Sequence, residues 1–143
     1  MSRTLVVLFV TVWAASLAPA HGQQIVFPEP GSSLRTEFLD VARPQFESET
    51  QGQVEFVVRR LAVMRDWVFG HVSPTRPGGR PIDWRNTKYR RDLSTGLFFP
   101  EHSLFLLKRM NGSWSLVESA IGPPEPVWEE WLVKYNLPRR LFE

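Results

Sequence analysis

Histidines, cysteines and clustered carboxylates are the side chains that bind transition metals, and this chain has few of them. It has no cysteine and only three histidines, His21, His71 and His102. No two histidines stand at a ligand spacing such as His-x3-His. We therefore expect no metal site and no cofactor. We interpret His71 as the hydrogen-bonded end of a strand and His102 as a residue at the mouth of a later strand.

Nucleophilic catalysis needs a nucleophile, a base and an orienting group, and no motif in the sequence brings these together. The chain has no nucleophile elbow, and the pair Gly78-Gly79 is too short to be a phosphate-binding loop. A lone carboxylate with a raised pKa needs no motif, so Asp66, Glu118 and Asp83 are the candidates for acid or base catalysis. The structural interpretation is favoured for each: Asp66 in a hairpin turn, Glu118 exposed on a strand and Asp83 beside nearby arginines.

A basic segment from Ser73 to Leu97 is the strongest candidate for binding. Its cations are Arg76, Arg80, Arg85, Lys88, Arg90 and Arg91. Only Asp83 and Asp92 oppose them, and Trp84 and Tyr89 lie between them. A connection of this length is usually either functional or disordered.

Arginine forms paired hydrogen bonds with carboxylates and phosphates, so this segment is predicted to bind an acidic partner or an anionic component of the cell envelope. The predicted binding residues are Arg76, Arg80, Trp84, Arg85, Lys88, Tyr89, Arg90 and Arg91. The alternative is a mobile, solvated loop whose charges keep an aromatic-rich stretch soluble. Nucleic-acid binding is not predicted, because the formal net charge of the whole chain is only +2.

Residues 1–22 have the three parts of a cleavable secretory signal peptide. Arg3 supplies a positive head, Leu5 to Ala18 is an apolar stretch, and Ala18-Pro19-Ala20 offers a small-residue cleavage site. An alternative cut follows Gly22, because Ala20-His21-Gly22 has the same small-x-small form. The mature protein is therefore expected to be periplasmic or secreted.

The apolar stretch is too short for a permanent membrane anchor, because a spanning helix needs about 20 residues. Without cysteine, neither a lipid-modified cysteine nor a disulfide can form. Cleavage after Gly22 leaves 121 of the 143 residues, enough for one domain that packs its own core. Loss of Arg3 lowers the formal charge from +2 to +1.

The first half of the mature chain predicts a helix and then a hairpin. Ser33 is the expected helix N-cap, and Pro44 is expected to kink or break this helix before it ends at Gly52. Residues Val54 to Met64 are then predicted to form a strand, with a bulge at Arg59-Arg60. The hairpin is completed by a turn at Arg65-Asp66 and a second strand from Trp67 to Val72, which is expected to stop at Pro74.

The second half predicts another hairpin. Asn111-Gly112, between Ser103 to Met110 and Ser113 to Ile121, is the pair that most readily forms a type I′ turn. The expected cross-strand pairs are Arg109 with Trp114, Leu107 with Leu116, and Leu106 with Val117. After this hairpin, Val127 to Tyr135 predicts a short helix with an apolar face. That face contains Trp128, Trp131, Leu132 and Tyr135.

These elements predict an α+β domain over residues 23–143, in which an N-terminal helix packs on a curved antiparallel sheet of about four strands and a short C-terminal helix follows. The order resembles the cystatin-like or NTF2-like architecture, in which a bent sheet cradles a helix. The chain is also similar to small exported bacterial proteins of unassigned function. This similarity lies in Val54-Glu55-Phe56-Val57-Val58, Asp66-Trp67, Arg76-Pro77-Gly78-Gly79 and the tail from Ala120 to Phe142. It implies a fold and a compartment without an activity.

Export, small size and the lack of a catalytic motif favour a non-enzymatic binding or accessory protein of the cell envelope. Two alternatives stay open. One is a small NTF2-like enzyme or ligand carrier with a cavity between sheet and helix, and the other is an inhibitor or immunity-type protein. A sheet–helix space filled by Phe38, Phe56, Leu107 and Leu116 would count against the carrier.

Overall fold

The computed structural model describes residues 24–143. The predicted signal peptide, with its apolar stretch and both cleavage sites, lies outside the described residues. Within residues 24–143, none of the helices combines the length and the apolar character that a membrane crossing needs.

The first helix, α1, spans Ser33–Thr50. Its N-cap is Ser32, whose side-chain oxygen accepts a hydrogen bond from the Arg35 backbone N–H at 3.2 Å. The expected cap at Ser33 is therefore wrong by one residue, because Ser32 keeps the extended backbone that a cap requires and Ser33 is already helical. The helix ends in a left-handed Gln51, one residue before the predicted Gly52.

Of the kink or break expected at Pro44, the break is wrong, because α1 continues through this residue. Proline removes one helical hydrogen bond, but Phe38, Ala42 and Phe46 on either side of it are completely buried against the sheet. Most helical stability in proteins comes from such packing, and here it compensates for the missing bond.

The first two strands, β1 over Glu55–Met64 and β2 over Trp67–Thr75, form the predicted hairpin. The bulge between Val58 and Arg60 confirms the predicted irregularity. The stop expected at Pro74 is wrong, because β2 continues through it and pairs Pro74 with Phe56. At this position β2 has β1 as its only neighbour, since its ladder with the next strand ends at Val72. Strands tolerate proline where one side is open.

The segment between β2 and β3 folds into short helical turns. They are the 3-10 turns Pro77–Gly79, Trp84–Asn86 and Pro100–His102 and the five-residue helix α2, Arg90–Ser94. Ile82 and Phe98 are buried in the core on the α1 side of the sheet, and Trp84 and Tyr89 pack against them. Apolar side chains thus fix the predicted basic segment to the body of the protein.

The third and fourth strands, β3 over Ser103–Met110 and β4 over Ser113–Ala120, form the second hairpin. Asn111 and Gly112 have φ values of 52° and 80°, which fits the predicted turn. The expected pairs Arg109–Trp114 and Leu107–Leu116 are confirmed. The pair Leu106–Val117 is wrong: Leu106 lies opposite Glu118, because a bulge inserts one extra residue into β4.

The four antiparallel strands lie in the order β1-β2-β3-β4, which confirms the predicted α+β class. On one face α1 covers a core that includes Val68, Phe105 and Leu107. The other face is covered by the predicted C-terminal helix, α3 over Trp128–Tyr135, and by the 3-10 turn Arg139–Leu141. The core of this second face contains Ala62, Met64, Phe69, Leu104, Leu106, Trp131, Leu137, Leu141 and Phe142.

Candidate functional site

Arg76, the first of the predicted binding residues, is turned inward. Its guanidinium donates to the carbonyl oxygens of Thr50 at 2.7 Å and Gln53 at 3.1 Å, at the C-terminal end of α1. The carbonyls at a helix C-terminus carry partial negative charge, so a cation there stabilises the helix. The Arg76 side chain therefore holds the segment to α1.

Trp84, Lys88 and Tyr89 are also engaged within the protein. The Tyr89 ring stacks on Phe98 with 4.9 Å between centroids, and its hydroxyl donates to Glu49 at 2.9 Å. Lys88 forms an ion pair with the same Glu49 carboxylate. Burial, together with the Glu49 carboxylate, raises the pKa of Tyr89. Tyr89 thus serves as a neutral anchor.

Arg85 pairs with Asp83, as expected for Asp83 from the sequence. The two side chains are 2.9 Å apart, and Asp83 also caps the turn Trp84–Asn86. The hydrogen bond from Arg85 lowers the pKa of the Asp83 carboxyl. Asp83 is therefore a structural carboxylate.

Three of the predicted cations remain directed to solvent. Arg80, Arg90 and Arg91 are exposed. Arg80 donates from Nε to the Pro77 carbonyl at 3.2 Å. Within residues 24–143, the side chains of Arg90 and Arg91 form no hydrogen bond or ion pair. The role of the segment in binding an acidic partner stays a prediction, now centred on these three residues.

The other two candidate carboxylates are held by partners. Asp66 lies in the first hairpin turn and accepts a hydrogen bond from Arg109 at 3.0 Å. Glu118 was expected to be exposed, but it is half-buried and binds Lys134 and the Tyr135 hydroxyl, which tie β4 to α3. Partial burial works to raise the pKa of Glu118, but the hydrogen bonds from Lys134 and Tyr135 prevail and lower it. Glu118 is thus an ionised carboxylate with a structural partner.

The two histidines, 31 positions apart in the chain, are neighbours in the fold. The rings of His71 and His102 lie with their centroids 5.6 Å apart. In the part of the chain that the structure describes, no group of three or more histidines and carboxylates is arranged to bind a metal ion. The pair instead lines one end of an apolar cleft.

This cleft lies on the α3 face of the sheet and has a volume of about 340 Å³. Its aromatic and imidazole lining consists of Phe69, His71, Phe99, His102, Trp128 and Phe142. The segment 123–126, Pro-Pro-Glu-Pro, forms another part of the lining. Most of the lining residues are therefore apolar, and they stand beside two imidazoles and one carboxylate.

Stacked rings build the floor and one wall of the cleft. Phe142 contacts Phe69 edge-on at 4.9 Å and lies parallel to Trp128 at 5.4 Å between ring centroids. Phe69 and Phe142 are buried, whereas 38 % of Phe99 is exposed. The floor is thus fixed by the core, and Phe99 presents its ring to solvent.

His71 is held in one tautomer by a backbone carbonyl. Its Nε2 lies 3.2 Å from the Glu101 carbonyl oxygen, and because a carbonyl can only accept, Nε2 carries the proton. Burial lowers the pKa of His71, and the nearby His102 and Arg59 lower it further. The ring is therefore neutral near neutral pH, with Nδ1 left as a hydrogen-bond acceptor.

This cleft could not be predicted from the sequence, because its lining comes from separate parts of the chain. Phe69 and His71 belong to β2, Phe99 precedes β3, and Phe142 follows the last 3-10 turn. No single spacing connects these positions. The dense group of prolines and Trp128 after β4 was the one local signal.

The space between α1 and the sheet is filled. Phe38 and Leu107 are completely buried there, and Phe56 and Leu116 pack against them. This arrangement counts against a ligand carrier whose cavity lies between the sheet and α1.

The fold and the cleft together define the structural class of this protein. It is an α+β protein with helices on both faces of a four-stranded antiparallel sheet and an open apolar cleft on one face. No family model, curated protein or solved structure matches this chain. The cleft is therefore interpreted from its own residues.

Proposed function

We propose that this chain is an exported, non-enzymatic binding protein of the cell envelope and that the cleft binds a small, mainly apolar ligand. The observation that supports it is the cleft of about 340 Å³ in which aromatic rings converge with two imidazoles. Small-molecule sites in proteins are typically concave, mostly apolar and equipped with few polar groups. The export part of the proposal depends on residues 1–22 of the sequence.

Binding is favoured over catalysis by the way polar groups near the cleft are paired. A serine nucleophile needs a base within hydrogen-bond reach. Ser73, two residues after His71, donates instead to the Glu101 carbonyl at 3.3 Å, the acceptor that His71 Nε2 also uses. His71 is thus not placed as the base of Ser73.

Binding can be measured with the neutral fluorescent probe N-phenyl-1-naphthylamine added to the mature protein. Phe99→Ala removes the exposed wall and should weaken binding about tenfold or more, as expected for the loss of most of a buried ring contact. Phe27→Ala is the matched control, because Phe27 is an exposed phenylalanine outside the cleft. Equal affinities of the two variants would contradict a binding site in the cleft.

Export is tested separately by mass spectrometry of protein expressed from the full-length sequence. We expect recovery from the periplasm or medium with an N-terminus at His21 or Gln23. Recovery of the chain from the cytosol with Met1 to Gly22 attached would contradict the proposal.

A second candidate function is binding of an acidic partner by the basic segment. It is supported by the packing of Ile82 and Phe98 in the core, which leaves Arg80, Arg90 and Arg91 in solvent on a firmly attached support. A segment whose backbone is already ordered loses less conformational entropy on binding than a mobile one.

The acidic-partner hypothesis can be tested by cosedimentation with phosphatidylglycerol vesicles. The variant with Arg80→Gln, Arg90→Gln and Arg91→Gln should lose binding. The control changes Arg59, Arg65 and Lys108 to Gln, which removes the same charge elsewhere. If the two variants bind equally, the segment has no specific role and net charge alone accounts for any binding.

A further inference from the structure

The polar side chains of the cleft suggest which kind of ligand it takes. The titratable side chains of the lining are two histidines and one carboxylate, Glu125, and the indole N–H of Trp128 is a further hydrogen-bond donor. Neither lysine nor arginine is among the lining residues, and side-chain hydroxyl and amide groups are also missing from that set. The charge of this lining therefore depends on three groups.

Two of these groups are acceptors. Glu125 is exposed and presents a carboxylate at the proline-rich side of the cleft. The His71 Nε2–H is taken by the Glu101 carbonyl at 3.2 Å, so the ring has its Nδ1 lone pair left. A ligand that meets both groups must itself be a hydrogen-bond donor.

A second carboxylate lies near the two imidazoles. It belongs to Glu101, and one of its oxygens is 3.9 Å from Nε2 of His102. The polar side chains near His71 and His102 therefore include a carboxylate as well as the two imidazoles.

The cations nearest the cleft lie outside its lining. Arg59 on β1 is exposed and donates to Ser73 at 3.4 Å. Arg139 lies over the Trp128 ring at 5.1 Å, and its charge is balanced by ion pairs with Glu129 and Glu143. An anionic ligand would find no cationic side chain among the lining residues.

We propose that the cleft binds an organic amine, whose ammonium group meets the Glu125 carboxylate while its apolar body lies on the floor of Phe69 and Phe142. The inference depends on the proposed function, since it names the ligand class of the same cleft. Charge complementarity separates an amine from the corresponding alcohol and carboxylic acid.

Three probes with one apolar body and different head groups test this ligand class. Phenylbutylamine, phenylbutanol and phenylbutyrate are titrated calorimetrically into the mature protein at about pH 8, where an ordinary histidine is neutral. The amine should bind tightest and the carboxylate weakest. If the alcohol or the carboxylate binds as tightly as the amine, the ligand class is wrong although the cleft still binds. If neither these probes nor N-phenyl-1-naphthylamine binds, the proposed function itself fails.

A charge-removing variant identifies the acceptor. Glu125→Gln should weaken amine binding about threefold, the size expected for a solvent-exposed ion pair, and leave phenylbutanol binding unchanged. Glu130→Gln, an exposed carboxylate of α3 outside the cleft, is the matched control and should change neither affinity. Unchanged amine binding by Glu125→Gln, or an equal loss in Glu130→Gln, overturns the assignment.

Discussion

The two faces of the sheet are covered to different extents. On one face α1 has 18 residues, and the ring of Phe105 beneath it is completely buried. On the other face α3 has eight residues, and the cleft opens beside its first turn, where Trp128 forms part of the lining. One side of the same sheet is thus a closed core, whereas the other combines a core with an open site.

Element lengths explain this difference. At about 1.5 Å per residue, α1 is roughly 27 Å long and α3 roughly 12 Å. A nine-residue strand such as β2 is about 30 Å long at 3.3 Å per residue. The long helix is therefore nearly as long as the strand. The short helix has less than half that length, and loops and prolines form the rest of the cover on its face.

The largest expected effect is on the closed face. Phe105→Ala should lower the free energy of unfolding by about 3–5 kcal/mol, because the ring is fully buried and its loss leaves a cavity. Phe99→Ala, on the open face, should cost under about 1 kcal/mol because the ring is partly in water. Urea unfolding of both variants measures the difference. Similar losses would mean that the two faces do not differ as described.

A second prediction concerns the contact between Gly70 and Phe105, which pair across β2 and β3. A Cβ placed on Gly70 would come within 2.2 Å of the Phe105 ring. We expect Gly70→Ala to cost about 1–3 kcal/mol, the usual price of overpacking a core. In a Phe105→Ala background the same change should cost much less, and this coupling is measured by a double-mutant cycle. Additive losses would show that the ring does not set the requirement for glycine.

A third prediction concerns the attachment of the basic segment on the α1 side. Tyr89→Phe keeps the stacked ring and removes the hydroxyl that donates to Glu49. The expected loss is about 0.5–1.5 kcal/mol, the net contribution of one hydrogen bond, measured by urea unfolding. Thr95→Val is a control, since its hydroxyl bonds only to backbone carbonyls of the exposed helix α2. No loss in Tyr89→Phe would mean that packing alone anchors the segment.

The smallest expected effect is a pH dependence from the open face. Because burial lowers the pKa of His71 below 6.5, the unfolded chain takes up this proton at a higher pH than the folded protein does. Stability is therefore unaffected well above pH 6.5 and decreases as the pH falls from 6.5 toward the lowered pKa. The pKa values of the Glu49 and Glu118 carboxyls are lowered from 4.5, so the stability that these carboxylates contribute is lost only at lower pH.

Thermal unfolding between about pH 7.5 and pH 5.5 isolates the contribution of His71. The melting temperature of the wild type should fall over this range, and that of His71→Gln should fall less. His102→Gln should keep most of the fall, because burial, the largest cause of the lowered pKa of His71, is unchanged in this variant. An equal fall in the wild type and in His71→Gln would contradict a buried neutral imidazole beside the cleft.

Local chemistry predicted most of the elements, and tertiary packing caused the errors. Asn111 and Gly112 tolerate positive φ on their own, so the second hairpin could be placed from the sequence. Because proline removes a backbone donor, Pro44 was expected to kink or break its helix and Pro74 to end its strand. Both elements continue, because buried neighbours hold α1 and because β2 is unpaired on one side at Pro74.

The candidate sites show the same division. The basic segment is contiguous in sequence, so its residues could be named. That Arg76, Lys88 and Tyr89 bind groups of α1 and its C-terminal end could not be predicted, because those partners are distant along the chain. The cleft has the opposite character. His71 and His102 were noticed one at a time, and their approach to 5.6 Å depends on the pairing of β2 with β3.

The sequence by itself determined the periodicity of the strands and helices, the turn at Asn111-Gly112 and the supply of aromatic side chains for a core without disulfides. These properties depend on each residue and its near neighbours along the chain. Only the tertiary structure decided that α1 buries the core on one face of the sheet and that the other face keeps an aromatic cleft. That outcome depends on how far each helix reaches along the strands and on rings that meet from distant segments, which local preferences do not specify.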